Sequence, residues 1–330
     1  MKKLSWKRRI LALALFCSGV GELSLHAQVT NFSVFKVTVH HQASAAAPSS
    51  PDTPNAYYFG AQLQTLDSSG YTNVDVTSPG IGTDYLTGLT PYYFNFGSPY
   101  YADKAAFDND YPAGEYDFEV DYTNFSETGS VIVPGQELYA TNIAAFTTDC
   151  WTAMQHVDPS LDFTLNWNSF VASSNSTSAY TFIDLFDENT GDNPFSADFM
   201  SPDTMTTNIP ANTLQYGTSY RVNSFFSTRQ DTPNAGFGGA LGTVGFDNLT
   251  YTTLITIPPW LGISGADTNV ILTWPDQATN YVLETAAQLS PGSLWTTLTN
   301  VPVAVTSTNS LTLPVMPGNQ FFRLAQSGHY

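Results

Sequence analysis

The chain has 330 residues, is 42% hydrophobic, and carries 28 acidic against 10 basic side chains, for a formal net charge of −18. Such a surface repels phosphate backbones, which need Lys and Arg to displace their counterions, so nucleic acid is excluded as a partner. Two cysteines and five scattered histidines exclude a disulfide framework and a zinc site of the usual ligand spacing.

The first 27 residues, "MKKLSWKRRILALALFCSGVGELSLHA", join a basic head (Lys2, Lys3, Lys7, Arg8, Arg9) to an apolar stretch and a small residue at Ala27. This pattern predicts a signal peptide cleaved before Gln28, and hence a secreted or cell-surface protein. Phe16 precedes Cys17 where a lipid-anchor signal wants a small residue, and no later stretch is apolar enough to predict a transmembrane segment. Cleavage leaves 10 − 5 = 5 basic and 28 − 1 = 27 acidic residues, a net charge of −22. Cations, basic partners and neutral polymers stay open as ligands. Cys150 is then the sole thiol, expected as a small buried hydrophobe.

Strand signals dominate the rest of the chain, which sets the fold class as all-β with tandem β-sandwiches. Residues 28–135 form the first expected domain, acidic and aromatic, with "QASAAAPSSPDTPNA" as a long loop between strands. Within "TPYYFNFGSPYYADKAAF", the tyrosines Tyr92, Tyr93, Tyr100 and Tyr101 are crowded beyond what strict alternation buries on one face. They are candidate ligand-binding residues, because exposed rings stack on sugars or anchor protein partners.

Just after them, "YPAGEYDFEVDY" alternates so that Glu115, Asp117, Glu119 and Asp121 share one face of a strand, neighbours spaced roughly 7 Å. "EYDFE" resembles the E-x-D-x-E strand of the jelly-roll glycoside hydrolases that cleave β-glucans. The resemblance implies Glu115 as nucleophile, Glu119 as acid and base, and Asp117 tuning both, in a retaining reaction. Tyr116 departs from the aliphatic residue usual there. A second chemical reading adds Asp103, Asp108 and Asp110 to the row as a calcium site. The third reading is a solvated acidic face that discourages edge pairing.

Residues 136–257 form the second expected domain, with one weak helical stretch, "TTDCWTAMQHVD". "FDENTGDNPF" reads as a hairpin turn, since its glycine is misplaced for a helix-loop-helix calcium loop. "FTLNW" followed by "YTFIDLF" matches "VILTW" followed by "YVLETA" in the third expected domain, 258–330, and each pair predicts a hairpin. These residues resemble the fibronectin type III and immunoglobulin-like sandwiches; Leu214, Thr218 and Tyr220 fit that family's tyrosine corner. The last segment is similar to short C-terminal accessory sandwich modules of secreted bacterial proteins, which have no shared catalytic residues. "DTPNA" occurs at Asp52–Ala56 and again at Asp231–Ala235, read as a repeated turn rather than a repeated binding loop.

The sequence therefore favours an exported binding or adhesion protein without catalysis, whose partner is a glycan or a cell-surface or matrix protein. The alternatives are a small β-glucan hydrolase, a calcium-dependent carbohydrate-binding module on the Glu115–Asp121 strand, and a structural spacer of a surface layer. No cofactor is required, calcium being the one considered.

Overall fold

The computed structural model describes residues 29–66, 71–90 and 92–327. The signal peptide expected at residues 1–27 lies outside them. In the first segment the alternating runs form β1 (Val29–His41), β2 (Tyr57–Thr65), β3 (Tyr71–Ser78), β4 (Gly82–Tyr85), β5 (Thr87–Thr90) and β6 (Tyr93–Gly97). After them come α1 (Lys104–Asp110), β7 (Gly114–Tyr122) and β8 (Ser126–Val133). The strand pattern gave no sign of α1. Its start is fixed by Asp103, which accepts from the Ala106 N–H at 2.9 Å, and Lys104 pairs with Asp108 one turn on at 2.5 Å.

The second segment holds α2 (Thr148–Ala153), β9 (Phe163–Asn166), β10 (Ser178–Asp187), β11 (Phe195–Met200), β12 (Thr206–Ile209), β13 (Ser219–Thr232) and β14 (Leu241–Ile255). The third holds β15 (Gly262–Ala266), β16 (Asn269–Pro275), β17 (Tyr281–Ala286), β18 (Thr296–Thr297), β19 (Val303–Val305), β20 (Thr308–Pro314) and β21 (Phe321–Gln326).

The boundary expected at residues 135/136 does not separate two sheets. One eight-stranded sheet runs β11-β10-β13-β14-β1-β2-β6-β5, and its centre is a parallel pairing of β1 with β14, from Asn31↔Leu241 to His41↔Tyr251. Parallel strands need a long crossover, and here most of both segments serves as that crossover. A second sheet, β4-β3-β7-β8, packs on the β1–β2 half, so that Phe32, Phe59 and Phe246 meet Val76, Phe118 and Val120 in a sheet-on-sheet core. Under the β10–β13 half, Ile183, Val222 and Phe226 meet Met154, Leu165 and Trp167 in a second core.

Between the cores the irregular stretch 138–146 crosses beneath the large sheet. Irregular backbone buried there needs partners for its carbonyls. The inner face supplies them: Thr228 Oγ1 donates to Leu138 O, Asn248 Nδ2 to Ala140 O at 3.2 Å, and Thr250 Oγ1 to Ala144 O at 2.6 Å. Gln42 closes the strap, donating to Phe146 O at 2.9 Å and accepting from its N–H at 2.8 Å. These polar residues interrupt an otherwise apolar strand face for that reason.

The hairpins expected from the two Trp-ending strands do not form. β9 pairs with β12, while β10 pairs with β11 and β13; likewise β16 pairs with β15 and β20, while β17 pairs with β18 and β21. In both places the chain crosses to another sheet after the tryptophan, which buries Trp167 and Trp274 as core rings. The tyrosine corner does form: the Tyr220 hydroxyl accepts from the Gln215 N–H at 2.7 Å. "FDENTGDNPF" is the β10–β11 turn, with Asp187 Oδ1 accepting from Asn189 N at 2.7 Å. Cys150 is free and buried, and burial pushes its thiol pKa up.

The corner also holds the last module. Tyr216 is buried among Leu272, Trp274 and Leu311 of the third core, and Asn280 Nδ2 donates to its carbonyl at 3.0 Å. Gly217 has φ +60°, and a Cβ there would collide with the Tyr281 hydroxyl. Gly217→Ala is therefore expected to cost about 1–2 kcal/mol in backbone strain before the displacement of Tyr281 is added. Calorimetry should show the loss concentrated in the transition of the C-terminal module.

Candidate functional site on the outer face of the large sheet

The sequence-derived candidates are dispersed. Glu115, Asp117, Glu119 and Asp121 line the solvent face of the β3–β7–β8 sheet, opposite Ile132, Ser130, Thr128 and Ser126 of β8. Ser130 donates to Glu115 at 2.8 Å. Partial burial, then Glu115 beside it, raises the Asp117 pKa; burial likewise raises Asp75 on the neighbouring strand, with Glu119 and Asp121 adding to it. None of the four predicted tyrosines is on this sheet. The aromatic ring and carboxylate row needed for a sugar cleft are thus not brought together.

The calcium reading is corrected by the same geometry. Asp103 caps α1, Asp110 accepts from the Tyr101 hydroxyl at 2.8 Å, and Asp108 is bound by Lys36 at 2.6 Å and Lys104 at 2.5 Å. Three carboxylates with three separate partners leave no shared oxygen cage. Among the described residues no group of three or more His, Cys, Asp and Glu side chains is placed to hold a metal ion.

The tyrosines divide. Tyr101 packs into the first core against Phe107 and Tyr111. Tyr93 has a buried hydroxyl with no hydrogen-bond partner, and Tyr92 is exposed at the start of β6. Tyr100, 39% exposed, lies edge-on to Tyr58 at 5.3 Å, and this contact leads onto the outer face of the large sheet.

That face is a candidate the sequence candidates did not include. Register places Asp184, Asn223, Tyr251 and His41 in one cross-strand row, with Phe182, Phe225, Leu249 and Val39 in the next. Phe35, Val37, Val39, Tyr58 and Leu249 form one buried cluster on which the partly buried Phe225 and Tyr251 pack, and among the described residues every member comes from this single sheet. Tyr251 stands between Arg221 on one neighbouring strand, 4.1 Å from its ring centre, and His41 on the other, stacked at 4.5 Å. Its hydroxyl donates to Asp52 at 2.7 Å, and Arg221 Nε donates to Asn223 Oδ1 at 2.9 Å.

Further along, the Arg229 guanidinium sits among four rings, 5.5 Å from Phe35, 5.3 Å from Tyr180, 5.3 Å from Phe182 and 5.7 Å from Phe199. Beside it Asp247 is buried, and its Oδ1 has no hydrogen-bond partner. Burial raises its carboxyl pKa to about 6, against the pull of Arg229 and Ser227. Asp184 is also raised to about 6, by burial first and by Asp198 second. The repeated "DTPNA" turns flank the same face: Asp52 meets Tyr251 at one end, and Asp231 accepts from Thr243 at 2.9 Å at the other. The signal for this face was present as odd-numbered residues of β13 and β14, but only pairing with β1 and β10 makes them one surface.

A concavity of about 520 Å³ opens at the seam with the C-terminal module and is lined by Asp187, Gln215, Thr218, Thr279, Asn280 and Gln326 among others. It has no aromatic floor comparable to the sheet face.

No protein-family profile matches the chain, and no curated protein matches it. Solved structures similar to it include the FN1–FN3 domains of chicken CNTN1, with a TM-score of 0.20, 8% identity, and coverage of 80% of this chain and 87% of that one. Another is a tetra-tandem repeat from the extending region of a large adhesion protein, with a TM-score of 0.25, 9% identity, and coverage of 89% and 73%. A third is a run of domains from titin, with a TM-score of 0.19, 12% identity, and coverage of 90% and 92%. At such scores the likeness carries no argument about partners or activity. The all-β sandwich class rests on the strands and sheets themselves.

Proposed function

We propose that the protein is an exported, non-enzymatic binding protein whose ligand surface is the outer face of the eight-stranded sheet, and that the ligand is a neutral glycan. The observation that carries this is the run of partly exposed rings Tyr100, Tyr251, Phe225, Phe182 and Tyr180 over a buried floor of Tyr58, Leu249 and Val39, with the partly exposed Arg221 and Asp184 among them. Sugar rings place their C–H faces on aromatic surfaces and their hydroxyls on such bidentate side chains. The acidity of the chain opposes polyanionic glycans and leaves neutral ones favoured. Calcium has no part in this reading.

A glycan array followed by calorimetric titration of the mature chain tests it. Tyr100→Ala and Arg221→Ala should each weaken a neutral-glycan hit about tenfold, equivalent to about 1.4 kcal/mol. Chelation should change nothing, and Glu115→Gln should bind as the parent does. A silent array, or a hit indifferent to both sheet-face variants, would remove the proposal.

A further inference from the structure

The partly exposed rings of the large sheet are spread over different strands. Tyr180 and Phe182 are on β10, Phe225 is on β13 and Tyr251 on β14. Tyr100 lies alongside β2, because the bridge of Tyr57 with Tyr101 and the bond from Ser98 N to Phe59 O carry its segment beside that strand. Register makes one row straight across the sheet. Tyr180 is beside Ser227, Ser227 beside Asp247, Asp247 beside Val37, and Val37 beside Tyr58, on which Tyr100 sits edge-on. Four strand spacings separate Tyr180 from Tyr58, a span of about 19 Å. A ligand that reaches the rings at both ends therefore runs across the strands. It is also longer than a single sugar, since a pyranose is about as wide as one phenyl ring.

That path is not flat. Each strand is turned from its neighbour by about 20–25°, so over four spacings the surface turns through roughly 80–100°. The rings are held at those angles. At one end the Arg229 guanidinium is enclosed by Tyr180, Phe182, Phe35 and Phe199, and Phe199 meets Tyr180 and Phe182 edge-on at 5.3 and 4.9 Å. In the middle Tyr251 is fixed between Arg221 and His41, with its hydroxyl on Asp52. At the other end Tyr100 rests on the buried Tyr58.

We infer that this face takes several consecutive residues of a single, soluble glycan chain winding across the strands, rather than the flat face of a crystalline polysaccharide, an inference that rests on the glycan ligand proposed above. A single chain follows the turn by rotating about its glycosidic bonds, and it can stack on each ring in succession. A planar crystal face would meet the rings at one end and leave those at the other turned away from it. Rings fixed in advance at the angles of the twisted chain also lower the cost of ordering the complex.

Calorimetric titration of the mature chain with cello-, chito-, laminari-, malto- and manno-oligosaccharides, each from monosaccharide to hexasaccharide, tests this beside pull-down on microcrystalline cellulose and crystalline chitin. In the series that binds, affinity is expected to rise at least about tenfold from disaccharide to hexasaccharide, while neither solid retains the protein. Tyr180→Ala and, separately, Tyr100→Ala each remove one end, and each should lower hexasaccharide affinity toward that of a shorter chain. Both side chains are partly exposed, so one variant serves if the other misfolds. Affinity independent of chain length, hexasaccharide binding indifferent to both variants, or retention on a crystalline solid without binding of soluble chains would overturn the inference and leave a glycan ligand standing. Silence toward every series and both solids would remove the two together.

Discussion

Replacing Asp108 and Glu137 together by alanine is expected to destabilise the protein by about 3–5 kcal/mol, the typical cost of stranding a buried charge. Lys36 is the charge in question. It lies on the inner face of β1, 3% exposed, with its ammonium 2.6 Å from Asp108, 3.1 Å from Glu137 and 4.9 Å from the centre of the Phe107 ring. Lys104 bridges the same two acids at 2.5 and 2.9 Å from the solvent side. Burial alone would raise the Asp108 pKa, but hydrogen bonds from Lys104 and Lys36 outweigh it and hold the carboxyl below its ordinary value. Lys36→Met should be near neutral by comparison, since it removes the desolvated charge and leaves Lys104 with both acids. Urea unfolding of the two variants separates the outcomes. A double alanine variant as stable as the parent would mean that Lys36 reaches water by another route.

Lowering the pH from about 7.5 to about 5 is expected to raise stability, opposite to ordinary acid lability. Asp247 and Asp184 carry this effect, each with a folded pKa raised to about 6 against an ordinary value of 3.8. For an acid raised in this way, the folded state binds more protons than the unfolded state between about pH 4 and about pH 6. Stability therefore falls as pH rises through that window and is regained below it. For buried Asp247 this elevation corresponds to at most about 3 kcal/mol. Asp108 acts in the other direction, but its depressed pKa places its loss at lower pH, beneath this window. His40, whose pKa burial lowers, opposes the two aspartates inside the window, and His40→Gln should therefore steepen the gain on acidification. Melting temperatures at the two pH values read the sum, and Asp247→Asn should flatten the dependence. A melting temperature that drops on acidification through this window would show that Asp247 is hydrated in the folded protein.

Asp247 also marks the limit of sequence reading. In "LGTVGFDNLTYTTLI" it is one polar residue among several, alternating correctly for a strand face. That face is aromatic only because β13 sets Phe225 and Arg229 on one side of β14 and β1 sets Phe35 and Val39 on the other. The acidic "EYDFEVDY" row drew attention for the opposite reason: its pattern is complete within one strand, so it is visible without any pairing. The structure leaves that row on a solvent face.

What local chemistry fixes was determined by the sequence itself: period-two alternation sets the all-β class, and the Leu214–Tyr220 spacing sets a tyrosine corner that forms as expected. The turn at Asp187 arises from a side chain bonding its own backbone; at the "DTPNA" repeats the aspartate side chains bond distant residues instead, Asp52 to Tyr251 and Asp231 to Thr243. Only the tertiary structure decided that β1 and β14, some 200 residues apart, lie side by side. That pairing joins two expected domains into one sheet, calls for the polar inner-face residues that satisfy the 138–146 strap, and assembles the outer aromatic face. Strand pairing is a long-range choice made by main-chain hydrogen bonds, which carry no residue identity, so no single stretch of sequence could announce it.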